Sequence, residues 1–125
     1  MKVITNVLKV GKYDYYIKHL EIINILLPED SFPEKLSTKE IEVLAAFMSQ
    51  DNSLIEEDMF NGVVRKKVMD KTHLKPGGLG NHLKKMIEKK FLIKNELTKR
   101  IVLKSFLFPV DNHQGYRIKI VKNET

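Results

Sequence analysis

The stretch VVRKKVMDKTHLKPGGLGNHLKKMIEKKFLIKN occupies residues 63–95. Val64 and Val68 stand four apart with Met69 beside them, which predicts a short helix over 63–72 whose polar face carries Arg65, Lys66, Lys67 and Lys71. His73, Leu74 and Lys75 then make a turn, with Leu74 as its buried plug. Pro76 suits the first position of a new helix, where a missing N–H costs nothing. Leu79, Leu83, Met86 and Ile87 form one apolar stripe, so the second helix is expected over 76–90. The remaining surface of that helix shows Asn81, His82, Lys84, Lys85, Glu88 and Lys89. At Phe91-Leu92-Ile93 the period changes to that of a strand.

The second helix opens on Gly77, Gly78 and Gly80, and each glycine weakens a helix by about 1 kcal/mol relative to alanine. Two readings offset that cost. Absent Cβ atoms let a phosphate or sugar lie against the free N–H groups and partial positive charge of a helix N-terminus. Equally, they let the helix pack closely on a neighbour, or form a tight loop before a helix that starts at Leu79. GGLG is not a nucleotide loop, because it lacks the GxxxxGK[ST] order and follows no strand.

Working outward, residues 1–10 are rich in β-branched residues and predict a strand. Tyr16, Leu20, Ile23 and Leu27 predict a helix over 13–27. Ile17, Ile22, Ile25 and Leu26 widen its stripe almost all round, as expected of a deeply buried or shared helix. Its tyrosines, Tyr13, Tyr15 and Tyr16, read as core and interface rather than a stacking platform. Residues 28–36, with two prolines, form a loop or hinge. Ser37-Thr38-Lys39-Glu40 is a capping box, with Leu36 and Ile41 as its hydrophobic staple. Ile41, Leu44, Ala45 and Met48, with Phe47 beside them, give the buried face of the helix that follows. Past the strand at 91–93, IVLKSFLF at 101–108 is a second apolar run. DNHQG at 111–115 is a turn cluster, and YRIKIV at 116–121 alternates like a half-buried strand.

A chain of 125 residues with 42% hydrophobic and 30% charged residues is one globular domain's worth. It has no apolar run of membrane-spanning length and no secretory leader pattern at its start, so a cytoplasmic protein is expected. Zero cysteines exclude disulfides, cysteine–zinc sites and thiol catalysis. The net charge of +6 is segregated. Residues 21–60 hold ten acids and two lysines, whereas residues 61–104 hold thirteen Lys/Arg and three acids. A basic half of that kind points to a polyanion, against the plainer reading of solvated lysines on ordinary helices.

From residue 37 onward the order is helix, short helix, three-residue turn, lysine-bearing helix and strands. That order, carried by residues 63–95 and the strand pair ending at YRIKIV, resembles the winged helix-turn-helix family, and in size the small winged-helix proteins of tailed bacteriophages. The resemblance implies an α+β fold. Residues 1–36 would be an N-terminal strand/helix extension for packing or dimerisation, and residues 37–125 a winged helix domain with a C-terminal β-wing. It implies that residues 76–90 are the recognition helix, entering the major groove by its N-terminal end. A phage origin would place the chain in the bacterial host cytoplasm. Two departures stand out: the glycine-rich start, and a long connection over 95–115 that should contain another element.

The function expected is binding of duplex DNA, sequence-specific or general, by a regulator of transcription or replication that is a homodimer through the 13–27 helix. Lys75, Gly77 and Gly78 would meet the backbone. Asn81, His82 and Lys85 lie one turn in, with Asn81 the best candidate for the N6 and N7 atoms of adenine. Lys84 and Lys89 share the same helix. Arg65, Lys66 and Lys71 on the preceding helix, and Arg100, Arg117 and Lys119 on the wing, would clamp phosphates. The alternative is a protein-interaction adaptor on the same fold, whose acidic half could mate with the basic half of a second copy. RNA is not excluded by charge, but the stacking motifs of the usual modules are missing. No nucleophile signature, histidine–glutamate metal spacing or cofactor loop is present. Neither an enzyme, a metal site nor a cofactor is expected, and Glu56-Glu57-Asp58 reads as a solvated helix start.

Overall fold

The computed structural model describes residues 11–109. The strands expected at 1–10 and 116–121, together with Arg117 and Lys119, lie outside the described residues. The order is α1 (Lys12–Leu26), α2 (Thr38–Met48), α3 (Asn52–Ile55), α4 (Gly62–Thr72), α5 (Pro76–Glu88), β1 (Leu92–Lys94), β2 (Ile101–Leu103) and a 3-10 turn (Ser105–Leu107). The class is α+β, five helices and a small antiparallel sheet among the described residues.

α2 is the centre of the molecule. Its residues 40–48 are all buried except Glu42, so the helix is enclosed around most of its circumference. The capping box starts it as the sequence predicts: Ser37 Oγ accepts from the Glu40 N–H at 3.2 Å, and Glu40 Oε1 accepts from the Ser37 N–H at 2.9 Å. Leu36 and Ile41, the expected staple, are both buried. α1 packs on α2 through Leu20 and Ile23, and His19 Nε2 donates to the Leu107 carbonyl at 2.7 Å, tying α1 to the 3-10 turn. Its apolar surface is therefore not buried all round, and Ile25 remains 80% exposed.

Residues 28–36 are latched down. The Asn24 side chain accepts from the Leu36 N–H at 2.8 Å and donates to the Leu36 carbonyl at 3.0 Å. Phe32 packs on Phe91 and Phe106, with ring centroids 5.2 Å apart in each case. Residues on both sides of position 36 share one core.

α4 and α5 meet through a tight turn. His73 takes a left-handed backbone, φ 60°, and the Leu74 N–H bonds back to the Met69 carbonyl at 3.1 Å. α5 begins at Pro76, so the three glycines are helical and not a loop before Leu79. It ends at Glu88, two residues earlier than the periodicity suggests, because a Schellman motif closes it. The Phe91 N–H reaches the Met86 carbonyl at 2.9 Å and the Lys90 N–H reaches the Ile87 carbonyl at 3.0 Å. Met86 and Phe91 are fully buried, which supplies the apolar contact that accompanies this motif. Lys90 sits at φ 75°, where glycine is preferred. Lys90→Gly is expected to stabilise the fold by about 0.5–1 kcal/mol, since relief of Cβ strain exceeds the added chain entropy. Urea denaturation midpoints of the two proteins check this.

The strand partner of β1 is β2, paired Leu92↔Leu103, Ile93↔Val102 and Lys94↔Ile101. A six-residue loop, 95–100, closes the hairpin, so β2 is the further element expected within the 95–115 connection, while the strand expected at YRIKIV lies outside the described residues. Leu92, Ile101 and Leu103 are buried, whereas Ile93 and Val102 face outward together.

Candidate nucleic-acid interface

α5 buries Leu79, Leu83 and Met86. At 3.6 residues per turn, the line opposite that stripe runs through Gly77, Asn81, Lys84 and Glu88, spaced four, three and four apart, and all four are exposed. Lys85 lies beside this line and Lys75 stands at the helix start, both exposed. No side chain caps α5, and its N-cap residue is Lys75. The amides of Gly77 and Gly78 thus lack the i−4 acceptor available further along the helix, and they open where a cation also stands.

The glycines separate into two kinds. Among the described residues, a Cβ built on Gly77 or Gly80 meets nothing within 4 Å, while one on Gly78 would sit 3.4 Å from Leu74 Cδ2. None of the three has a positive φ. Gly78 therefore borders the turn that carries Leu74, and among the described residues neither packing nor backbone conformation calls for Gly77 and Gly80.

The other expected contacts are not all gathered. Asn81, Lys84 and Lys85 share one open surface with Gly77. His82 is half-buried beside the core stripe, with its Nδ1 enclosed and without a hydrogen-bond partner among the described residues, so it does not project with Asn81. On α4, Val64, Val68 and Thr72 are buried. By helical spacing Arg65 and Lys71 flank that buried line on opposite sides, so no single flat surface takes both. Arg65 Nε donates to the Phe60 carbonyl at 2.7 Å, and the Lys71 ammonium lies 4.4 Å from the Tyr13 ring centroid. Lys66 projects away from the core with Lys67 next to it. Arg100, at the end of the hairpin loop, lies 4.0 Å from Asp58.

Lys89 departs furthest from expectation. Its ammonium bonds Glu40 Oε1 at 2.8 Å and the Lys35 carbonyl at 3.0 Å, and its side chain is 14% exposed. It is held inward, joining the end of α5 to the capping box of α2, and it leaves the set of open cations.

Sequence reasoning passed over Lys67, Lys94 and Lys99 as contacts, and all three are exposed. The first was legible as the neighbour of Lys66. Lys99 was legible likewise as the sequence neighbour of Arg100, whereas Lys94 comes near it only because Lys94 pairs with Ile101 in the hairpin. Of the thirteen Lys/Arg in 61–104, ten are exposed, the exceptions being Arg65, Lys89 and Lys104, so the positive half of the chain is mostly surface. Among the described residues no group of three or more His, Asp or Glu is placed to hold a metal ion, and no helix is long and apolar enough to cross a membrane. Neither a family model, nor a curated protein, nor a solved structure matches this chain.

Proposed function

We propose that this chain is a winged helix-turn-helix protein of the cytoplasm that binds duplex DNA through α5 and acts as a regulator of transcription or replication. The observation that carries the reading is the pair Gly77 and Gly80: two helix-weakening residues with open space at their Cβ positions and ordinary helical φ. Nothing among the described residues requires a side chain to be missing there. The surface that needs the space is then an external one, and it adjoins unfilled backbone amides, Lys75, Asn81, Lys84 and Lys85. The order α2, α4, tight turn, α5 and hairpin supports the family resemblance. Lys66 and Lys67 serve the backbone from α4, Arg100 from the wing, and Asn81 meets a base edge. Homodimerisation narrows to the exposed end of α1, at Ile25 and Leu26.

Gly77→Ala/Gly80→Ala tests this directly. The double variant is expected to be more stable by about 1–2 kcal/mol, from helix propensity with no steric penalty. Its affinity for duplex DNA should nevertheless fall at least about tenfold, because two methyl groups stand between backbone and phosphate. Thermal unfolding and fluorescence anisotropy on a labelled duplex measure both. A stabilised variant with undiminished DNA affinity overturns the proposal. A wild-type chain with no affinity for duplex leaves the adaptor reading.

A further inference from the structure

The tip of the hairpin is built to present a leucine. Asn95 Oδ1 accepts from the N–H groups of Leu97 and Thr98 at 2.9 and 3.0 Å, and the Lys99 N–H bonds the Asn95 carbonyl at 2.8 Å. The loop is thus internally ordered, yet Leu97 is 93% exposed. Lys94 and Lys99 are exposed in and beside the same loop, and Arg100 at its end lies 4.0 Å from Asp58. Glu96 stands next to it, 3.9 Å from Lys99.

On another part of the molecule, α1 and α2 form a groove of about 280 Å³ with an apolar floor of Tyr13, Ile17 and Ile41 and a rim of Asp14, Glu21 and Glu42. It is smaller than the roughly 300–1,000 Å³ of ordinary small-molecule sites, and its scale is that of one or two side chains. The rim is only loosely neutralised. Glu21 and Glu42 have i−3 lysines, Lys18 and Lys39, at 3.8 and 3.5 Å on exposed surface. Burial, then Glu42 and Asp14, hold the Tyr13 phenol above its ordinary pKa, as expected where carboxylates converge. The ammonium of Lys71 already lies on the Tyr13 face.

We propose that the hairpin tip of one copy, Leu97 with Lys94 and Lys99, seats in the α1–α2 groove of a second copy, so that the protein assembles head-to-tail. Leu97 covers the apolar floor and the cations meet the carboxylate rim. The contact joins two different surfaces of one chain, so each bound pair leaves one tip and one groove open, and the assembly grows into a ring or filament. An isologous dimer through Ile25 and Leu26 is a separate contact, and head-to-tail assembly does not depend on DNA binding.

The test uses the full chain in an Ile25→Lys background, which removes the exposed end of α1 from the comparison, with sedimentation velocity as the readout. The parent at about 100 µM in about 0.05 M salt should give species larger than dimers, which dissociate to monomers at about 0.5 M salt. Leu97→Asp alone, and Asp14→Lys/Glu42→Lys alone, should each be monomeric. Mixed one to one they should form a heterodimer and nothing larger, because each contributes one intact surface. Glu21→Lys and Leu97→Ser, at more exposed positions, serve the same roles if the charge-reversed groove unfolds. A parent that stays monomeric at low salt overturns the proposal. So does a tip or groove variant that assembles alone like the parent, or a mixture that remains monomeric.

Discussion

Lys89→Met is expected to lower the stability of the fold by about 3 kcal/mol and to leave the DNA affinity of the folded protein unchanged. The Glu40 carboxylate has a side chain only 2% exposed, and its partners are the Ser37 N–H and the Lys89 ammonium. Removing the ammonium strands a charge in the interior, which costs about 3–5 kcal/mol in buried pairs, and the residual exposure of Lys89 puts this site at the lower end. Lys89→Met/Glu40→Gln should recover part of the loss. The substituted amide still offers an oxygen to the Ser37 N–H, and no charge is left unpaired. Urea denaturation of the four proteins gives the coupling. A single variant within about 0.5 kcal/mol of wild type would show the ion pair to be incidental.

The role of Lys89 could not be read locally. It follows Lys84, Lys85 and Glu88 on the polar side of α5, and nothing within one helical turn distinguishes it from them. Its partner is 49 residues away. The capping box was legible because its two hydrogen bonds lie within four residues, and the stripe of Leu79, Leu83 and Met86 because helical spacing is local. The turn at 73–75 was legible in length, but its left-handed residue is a histidine, and the left-handed position after α5 is a lysine, so the usual glycine signal is missing at both. The apolar runs at 91–93 and 101–108 were legible, but the turn that pairs them was not, for the same reason. Lys99 takes the left-handed position at φ 62° in a loop with no Asn-Gly or Asp-Gly pair. His19 gave no signal of its own, because the carbonyl it bonds belongs to Leu107, 88 residues on. The glycines of α5 stand between these cases. Their cost was plain from sequence, but separating Gly78 from Gly77 and Gly80 needed the positions of surrounding atoms.

Lys84→Gln/Lys85→Gln should weaken duplex binding about 10- to 100-fold at physiological salt, and Lys84→Glu/Lys85→Glu should abolish it. Both side chains are exposed on the open side of α5, one turn beyond Asn81, where a helix entering by its N-terminus passes the sugar–phosphate rim. Each lysine on a phosphate releases close to one counterion, so the log–log salt slope should fall by about 2 in the glutamine variant and loss of affinity should be greatest at low salt. Neutral substitutions separate that effect from misfolding. Lys85 borders Glu34 and Glu88, so a glutamate there adds like-charge repulsion to the fold, whereas glutamine at an exposed site stays within about 0.5 kcal/mol. A salt titration of wild type and the glutamine variant against random and adenine-rich duplexes decides between two uses of the same lysines. Parallel loss on every sequence with a reduced slope marks them as phosphate contacts, leaving base discrimination to Asn81. An unchanged slope means that α5 does not face DNA, and the positive half of the chain must then be explained by a protein partner.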